Sequence, residues 1–103
     1  MSQKNKRQNT VKVLEREKTQ RPRKYKVVFH NDDFTPMYFV VNVLMLIFNK
    51  STAESTRIML TVHRQGRGVA GTYSKEIAET KKDKTLELSR ECGFPLMCTI
   101  EPE

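Results

Sequence analysis

Two polar groups in this chain carry side chains that could do chemistry. The first is the run Asn31, Asp32 and Asp33, and the second is His63. Carboxylates and imidazole suit several divalent metals, so a metal-dependent hydrolase with Asp32, Asp33 and His63 as ligands is one hypothesis. The other is structural, because Asn and Asp are common turn residues whose side chains bond their own backbone. The choice depends on the elements that position these residues.

The Asn-Asp-Asp run is predicted to separate a strand from a helix. The residues before it, YKVVFH from Tyr25, include β-branched and aromatic residues and predict a strand. After the run, Thr35 is the predicted N-cap of a helix, with Pro36 at the first helical position, where a missing N–H costs nothing. The segment 37–48 is apolar nearly all round, so we expect a buried helix.

His63 belongs to a second predicted helix. A capping box opens this helix at Ser51, and a glycine C-cap closes it at Gly66. Met59, Val62 and His63 are spaced i, i+3 and i+4, so they share one face of the helix. A histidine on an apolar face is also consistent with a core residue bonded to a backbone carbonyl. A functional role requires that the Asn-Asp-Asp run and His63 meet.

The remaining segments complete a small α+β domain. GVAGTY from Gly68 predicts a second strand, a third helix is expected from a Ser74 cap to Gly93, and PLMCTIE from Pro95 alternates like an outer strand. The predicted order is therefore β-α-α-β-α-β with short connections. We expect three helices packed on one face of a small antiparallel three-stranded sheet.

Charge is distributed unevenly along the chain. Residues 1–24 carry nine Lys or Arg and two Glu, whereas residues 25–103 carry ten basic and ten acidic residues. The first segment has little apolar content, so it cannot bury enough surface to offset the entropy of ordering. We expect residues 1–24 to form a disordered or weakly helical basic tail and residues 25–103 to form one domain. The tail lacks the apolar stretch of a secretory signal, which favours a cytoplasmic protein.

Cysteine spacing and hydropathy argue against several other classes. Cys92 and Cys98 have no paired His or Cys at metal-ligand spacing, so we expect buried reduced thiols. The most apolar segment, 37–48, is too short to cross a bilayer, which needs about 20 apolar residues. The basic tail suggests a nucleic-acid binder as an alternative, although the neutral body carries no recognisable nucleic-acid motif.

Three stretches of the body closely resemble the ClpS adaptors, the bacterial recognition proteins of the N-degron pathway. The stretches are YKVVFHNDDFTPMYFVVNVL, MLTVHRQGRGVAGTYSKEIAETK and PLMCTIE, and the match covers essentially all of 25–101. The resemblance implies an adaptor rather than an enzyme, with no cofactor and with neither a nucleic acid nor a membrane as partner. Such adaptors capture proteins with an N-terminal Leu, Phe, Tyr or Trp and deliver them to the ClpA unfoldase of the ClpAP protease.

The resemblance also implies a two-part substrate site. Hydrogen-bond acceptors are expected around the substrate's α-amino group, namely Asn31, Asp32, Asp33 and His63. An ammonium offers three donors, so its binding needs such a set. An apolar pocket is expected to hold the first side chain, with a lining of Thr35, Met37, Val40, Met59, Val62 and Leu96. Val40 and Leu96 also fit ordinary core positions.

For the N-terminal domain of the unfoldase, the resemblance assigns a docking site to Glu76, Glu79 and Lys81 on the third helix. Taken alone, such a charge run is usually a solvated helix face. The chain departs from the family at Tyr38, where Glu is frequent, so the carboxylate half of a capping box after Thr35 is absent. A variant adaptor that serves another unfoldase or a narrower substrate set is therefore a further alternative.

Overall fold

A computed structural model describes residues 23–103 of the chain. The elements are β1 Lys24–His30, α1 Met37–Leu46, α2 Thr52–Gln65, β2 Arg67–Ser74, α3 Lys75–Glu91 and β3 Met97–Pro102. The predicted α+β fold and its β-α-α-β-α-β order are confirmed. Of the predicted tail, residues 1–22 lie outside the described residues, and Lys24 is the first residue of β1. None of the helices in the described part is long and apolar enough to cross a membrane.

β1 is the central strand of the sheet. The strand order is β2-β1-β3, and both neighbours run antiparallel to β1. Val27 and Phe29 belong to the core beneath the helices and are fully buried. A bulge between Val27 and Val28 shifts the register with β2, so that Val28 lies opposite Val69. Because β1 is paired on both sides, its C-terminal end is held in place, and the Asn-Asp-Asp run begins there.

Polar side chains cross the sheet face that is opposite the core. Arg67 on β2 forms an ion pair with Glu101 on β3, and His30 Nε2 lies 2.8 Å from Thr99 Oγ1. The hydrogen bond from Arg67 lowers the pKa of Glu101. These pairs tie the two outer strands to each other and to β1. Val28, which belongs to this face by its position in β1, has no exposed surface.

α1 is buried along one side only. Its buried residues are Phe39, Val40, Val43 and Leu44. Tyr38 and Leu46 are 63% and 73% exposed, so the prediction of a helix buried all round is wrong on that side. The start of the helix also differs from the prediction. Pro36, and not Thr35, occupies the N-cap position, and Met37 is the first helical residue.

α2 and α3 follow the predicted boundaries closely. Ser51 Oγ accepts a hydrogen bond from the Glu54 amide at 3.1 Å, and Gly66 ends α2 in the left-handed region with φ of 88°. Ser74 occupies the N-cap position of α3, and Gly93 follows its end with φ of 79°. Local backbone chemistry therefore sets both ends of α2 and the end of α3, whereas the Ser74 side chain makes no capping hydrogen bond at the start of α3.

The two cysteines are both free and lie in different environments. Burial raises the pKa of the Cys98 thiol to about 12, so this thiol stays protonated at neutral pH. Cys92 is exposed at the end of α3, and the prediction that both thiols are buried is wrong for this residue.

Gly68 allows α2 to lie close against β2. A Cβ atom at Gly68 would be 2.8 Å from Val62 Cγ2 and 3.4 Å from the Val62 amide nitrogen. Side-chain carbons do not approach so closely in well-packed interiors. Any larger residue at position 68 would therefore move Val62.

We predict that Gly68→Ala lowers the free energy of unfolding by about 1–3 kcal/mol, because the added methyl group overpacks the contact with Val62. Urea denaturation measures this loss. In a Val62→Ala background the obstructing methyl groups are absent, so the same substitution should cost clearly less. Equal losses in the two backgrounds would contradict the assigned contact.

Candidate functional site

A backbone hydrogen bond joins the loop after β1 to the end of α2. The Asn31 amide donates to the Gly66 carbonyl oxygen at 2.9 Å, and the Gly66 amide donates to the Val62 carbonyl oxygen at 2.9 Å. His63 follows Val62 in the last turn of α2, so it is brought to the same place as the loop. The juxtaposition that a functional role of His63 requires is therefore present.

A cavity of about 350 Å³ lies between this loop, the start of α1 and the end of α2. Its lining includes all four predicted acceptors, Asn31, Asp32, Asp33 and His63. It also includes most of the predicted pocket residues, which are Thr35, Met37, Val40, Met59 and Val62. The volume is near the lower end of the range of about 300–1,000 Å³ for ligand pockets, so it suits a small group such as one side chain.

The inner part of the cavity is apolar. Val40, Met59 and Val62 are 6%, 9% and 3% exposed and continue into the core. Met37, the first residue of α1, is 45% exposed and forms part of the outer wall. The prediction that Leu96 lines the cavity is wrong. This residue lies just before β3 and is buried in the core cluster.

Two lining residues, Phe34 and Pro36, were not predicted from the sequence. Phe34 is 78% exposed although it is a large aromatic residue. The available signal was its position, since an aromatic side chain inside a polar loop is a candidate contact for a ligand. Pro36 lines the cavity because the N-cap of α1 is itself part of the wall.

Asp32 organises the loop. Its Oδ1 accepts hydrogen bonds from the Phe34 amide at 2.8 Å and the Thr35 amide at 2.7 Å, and its Oδ2 accepts one from the Thr35 hydroxyl at 2.8 Å. Burial acts to raise the pKa of Asp32, but these three hydrogen bonds outweigh it and lower the pKa from its usual value of 3.8. Thr35 therefore serves as a donor to Asp32 and not as the predicted helix cap.

The other three predicted acceptors are free in the described part of the chain. The side chains of Asn31, Asp33 and His63 are exposed, and none has a hydrogen-bond partner among residues 23–103. An amide oxygen, a carboxylate and an imidazole nitrogen are thus available beside an apolar cavity. Such a set can accept several hydrogen bonds from one cationic group.

The geometry gives no support to the metal-dependent hydrolase. No group of three or more His, Cys, Asp or Glu side chains within residues 23–103 is placed to hold a metal ion. Asp32, Asp33 and His63 therefore do not form such a group. The Asp32 oxygens are already used by the loop backbone and by Thr35.

The three residues assigned to unfoldase docking lie on the first half of α3 and differ in their surroundings. Glu76 is exposed and Glu79 is partly exposed. Lys81 Nζ instead donates a hydrogen bond to the Ile47 carbonyl oxygen at 2.7 Å. The ammonium of Lys81 is therefore engaged within the domain.

The departure from the family at Tyr38 leaves the first turn of α1 without an acidic residue. The Tyr38 ring contacts Phe94 edge-on, with 6.5 Å between ring centroids, and Phe94 in turn meets Phe39 at 4.8 Å. Tyr38 therefore makes an aromatic contact with the segment before β3 and supplies no capping carboxylate to α1. Tyr38 does not line the cavity itself.

Comparison with known proteins assigns the chain to a family. Residues 20–99 match the family model described as ATP-dependent Clp protease adaptor protein ClpS. The chain belongs to the ClpS family. An ATP-dependent Clp protease adapter protein ClpS from Desulfatibacillum aliphaticivorans is 56% identical over 87 residues, which is 84% of each chain. The ClpS protein of Lawsonia intracellularis is 51% identical over 94 residues, covering 91% of this chain and 86% of its own.

A solved structure of the ClpS family supports the same conclusion. Agrobacterium tumefaciens ClpS2 bound to L-phenylalaninamide is similar with a TM-score of 0.78 and 47% identity, and the match covers 81% of this chain and 100% of that one. The predicted family and fold are confirmed. The protein is a ClpS-type adaptor of the Clp protease.

We predict a pH dependence of stability that comes from Asp32. Its pKa is lower in the folded protein than in the unfolded chain, so its contribution is complete above about pH 4 and is lost as the pH falls through the folded value. Asp32→Asn removes this titration and keeps an amide oxygen for the loop amides. In urea denaturation between about pH 5 and pH 3, the parent should lose more stability than the variant. Glu101 titrates in both proteins, so its effect cancels, and parallel losses would contradict the role of Asp32.

Proposed function

We propose that this adaptor binds the free α-amino group and the first side chain of proteins that begin with Leu, Phe, Tyr or Trp. It then delivers these proteins to the ClpA unfoldase of the ClpAP protease. One observation carries the proposal: three hydrogen-bond acceptors without partners in the described chain stand beside a cavity with an apolar interior. This arrangement favours a ligand that carries a positive charge directly beside an apolar group.

The acceptor set fits a terminal ammonium. Asn31, Asp33 and His63 supply three different acceptors, and a primary ammonium supplies three donors. The Asp33 carboxylate also balances the positive charge. A lysine side chain offers the same charge, but its ammonium does not have an apolar branch on the adjacent carbon. An N-terminal residue has both features at one carbon atom.

The cavity adds the second half of the binding energy. Burial of a Leu or Phe side chain contributes about 1.5–3 kcal/mol, and a hydrogen bond to a charged group contributes about 1.5–3 kcal/mol. Micromolar binding requires about 8 kcal/mol, so neither half is enough alone. Because the strand end and two helices already order the site, the ordering cost of binding is small.

The ligand of the related ClpS2 structure has the required chemistry. L-Phenylalaninamide, which is bound in that structure, carries a free amine and a benzyl group on one carbon atom. The acceptors and apolar wall of this chain offer partners for both groups. This likeness supports the proposed substrate class, and it leaves the order of preference among first residues to experiment.

For delivery, we propose that the N-terminal domain of the unfoldase docks on the start of α3. Glu76 is exposed there, Ile77 is 49% exposed and Glu79 is partly exposed. An exposed apolar residue between two carboxylates suits a partner surface with an apolar centre and a basic rim. The cavity lies between the loop after β1, α1 and α2, so docking on α3 leaves it open to substrate.

The proposed function predicts that binding depends on the free amine. A peptide that begins with Phe should bind with micromolar or better affinity. N-acetylation should weaken binding at least about thirtyfold, because it removes the positive charge and two of the three donors and leaves acceptors under the bound ligand unpaired. Fluorescence anisotropy with labelled peptides measures both affinities. Equal binding of the free and acetylated peptides would refute the proposal.

A pair of neighbouring variants locates the effect. His63→Ala should weaken binding of the free peptide about tenfold or more, because one acceptor for the ammonium is lost. Arg64→Ala is the matched control, since Arg64 is the next exposed residue of α2 and does not line the cavity. If the two variants bind equally well, the assignment of His63 is wrong.

Met37 is predicted to set the choice among apolar first residues. Its side chain forms the outer wall, so branching at the first side chain's Cβ should be disfavoured there. Met37→Ala should therefore narrow the preference for Leu over Ile at the first position by about tenfold, measured with peptides that differ only in that residue. Met45→Ala is the control, because Met45 is an exposed methionine of α1 outside the cavity. An unchanged preference in Met37→Ala would place selectivity elsewhere.

A further inference from the structure

The first turn of α1 lacks the side-chain groups that usually hold a helix start. Pro36, the N-cap, makes no side-chain hydrogen bond, and the turn contains no acidic residue. The amide and hydroxyl of Thr35 are both donated to Asp32. The Phe39 and Val40 amides reach only the Pro36 carbonyl oxygen, at 3.1 and 3.3 Å. Because the amides at a helix start normally need acceptors from outside the helix, this turn has to be held by other contacts.

Phe94, in the segment before β3, contacts two successive residues of this turn. Its ring meets the Tyr38 ring at 6.5 Å between centroids, with 87° between the ring planes, and it meets the Phe39 ring at 4.8 Å and 61°. Edge-to-face pairs at such separations are favourable beyond the apolar area that they bury. Phe39 is also held by the core, since it is 6% exposed. The 63% exposed Tyr38 ring has only Phe94 as an aromatic partner among residues 23–103.

Phe94 is itself fixed by the elements on either side of it. The Phe94 amide donates to the Ser89 carbonyl oxygen at 2.8 Å, and the Gly93 amide donates to the Arg90 carbonyl oxygen at 3.1 Å. With Gly93 at φ of 79°, these are the two hydrogen bonds of the Schellman motif at the end of α3. Two residues later, Leu96 is buried in the core cluster. Phe94 is therefore a fixed support for the start of α1.

Tyr38 is directly next to a residue of the cavity wall. Met37, the first residue of α1, lines the cavity and precedes Tyr38. Successive residues of a helix point about 100° apart, so this turn can present Met37 to the cavity and Tyr38 to Phe94 at the same time. A contact that holds Tyr38 therefore also holds the backbone that carries Met37.

We propose that Tyr38, through its contact with Phe94, is a positioning residue for Met37 and sharpens the choice among apolar first residues. Without the Tyr38 ring, the uncapped first turn opens more often, and Met37 gives way to a first side chain that is branched at Cβ. The role of Tyr38 in holding the first turn stands independently of any ligand. Its effect on selectivity rests on the proposed function of the cavity.

Amide hydrogen exchange tests the structural step without a ligand. In Tyr38→Ala, the Phe39 and Val40 amides should exchange at least about threefold faster, while the Val27 amide in the central strand keeps its parent rate. Tyr38→Phe keeps the ring and should match the parent at all three amides. Leu46→Ala is the control for loss of an exposed apolar side chain, because Leu46 is 73% exposed at the other end of α1.

Peptides that differ only in a first residue of Leu or Ile test the functional step. Tyr38→Ala should reduce the preference for Leu at least about threefold, whereas Tyr38→Phe and Leu46→Ala should keep it. A general loss of folded protein lowers both affinities equally, so it leaves this ratio unchanged. In a Met37→Ala background the wall on which Tyr38 acts is already gone, so adding Tyr38→Ala should change the preference by less than about twofold.

Three results would overturn the proposal. Unchanged exchange at Phe39 and Val40 in Tyr38→Ala would mean that the ring does not hold the first turn. Faster exchange with an unchanged preference for Leu over Ile would limit Tyr38 to local stability. A further loss of preference in the Met37→Ala background would show that Tyr38 does not act through Met37. If the parent protein binds neither peptide, the proposed function fails, but the exchange rates still test whether Tyr38 holds the turn.

Discussion

The hydrogen bond from the Asn31 amide to the Gly66 carbonyl oxygen is the interaction on which the site depends. It requires β1 and α2 to end at the same point in space, although their last residues are far apart in the chain. Gly66 makes this possible because its left-handed conformation turns the chain directly from α2 into β2. Gly68 then allows β2 to run close beneath Val62. The proposed binding residue His63 on α2 and the proposed binding loop after β1 are thus fixed by backbone geometry.

The two aspartates of the loop have different roles: Asp32 holds the loop, and Asp33 offers a free acceptor. Asp32 uses both oxygens to hold the loop, and its lowered pKa keeps it ionised in mild acid. Asp33, the next residue, makes no side-chain hydrogen bond within the described chain. A free acceptor on a flexible loop would lose binding energy to ordering. Here the hydrogen bonds of Asp32 hold the loop, so the Asp33 carboxylate stays available as an acceptor.

Local signals in the sequence predicted the helices and strands. The side-chain positions that depend on tertiary contacts could not be predicted in this way. Ser51, Gly66 and Gly93 act through their own backbone neighbours, so the ends of α2 and α3 were predictable. The place of Lys81 was not, because its partners Ile47 and Tyr73 come from other elements. Leu96 was misplaced for a related reason. A residue that just precedes a strand can turn to the core or to a pocket, and only packing decides between them.

The exposure of Met37 at the start of α1 is the cost of keeping the cavity open. Burying this side chain would stabilise the domain, since apolar burial contributes about 25 cal/mol per Å². Under the proposed function, however, Met37 has to stay uncovered so that a ligand can pass it, and Phe34 beside the cavity is exposed as well. α1 must therefore be held by its other side and by its end. Buried Phe39, Val43 and Leu44 anchor the side, and the contact of Ile47 with Lys81 holds the end, so Met37 itself does not have to be packed against the core.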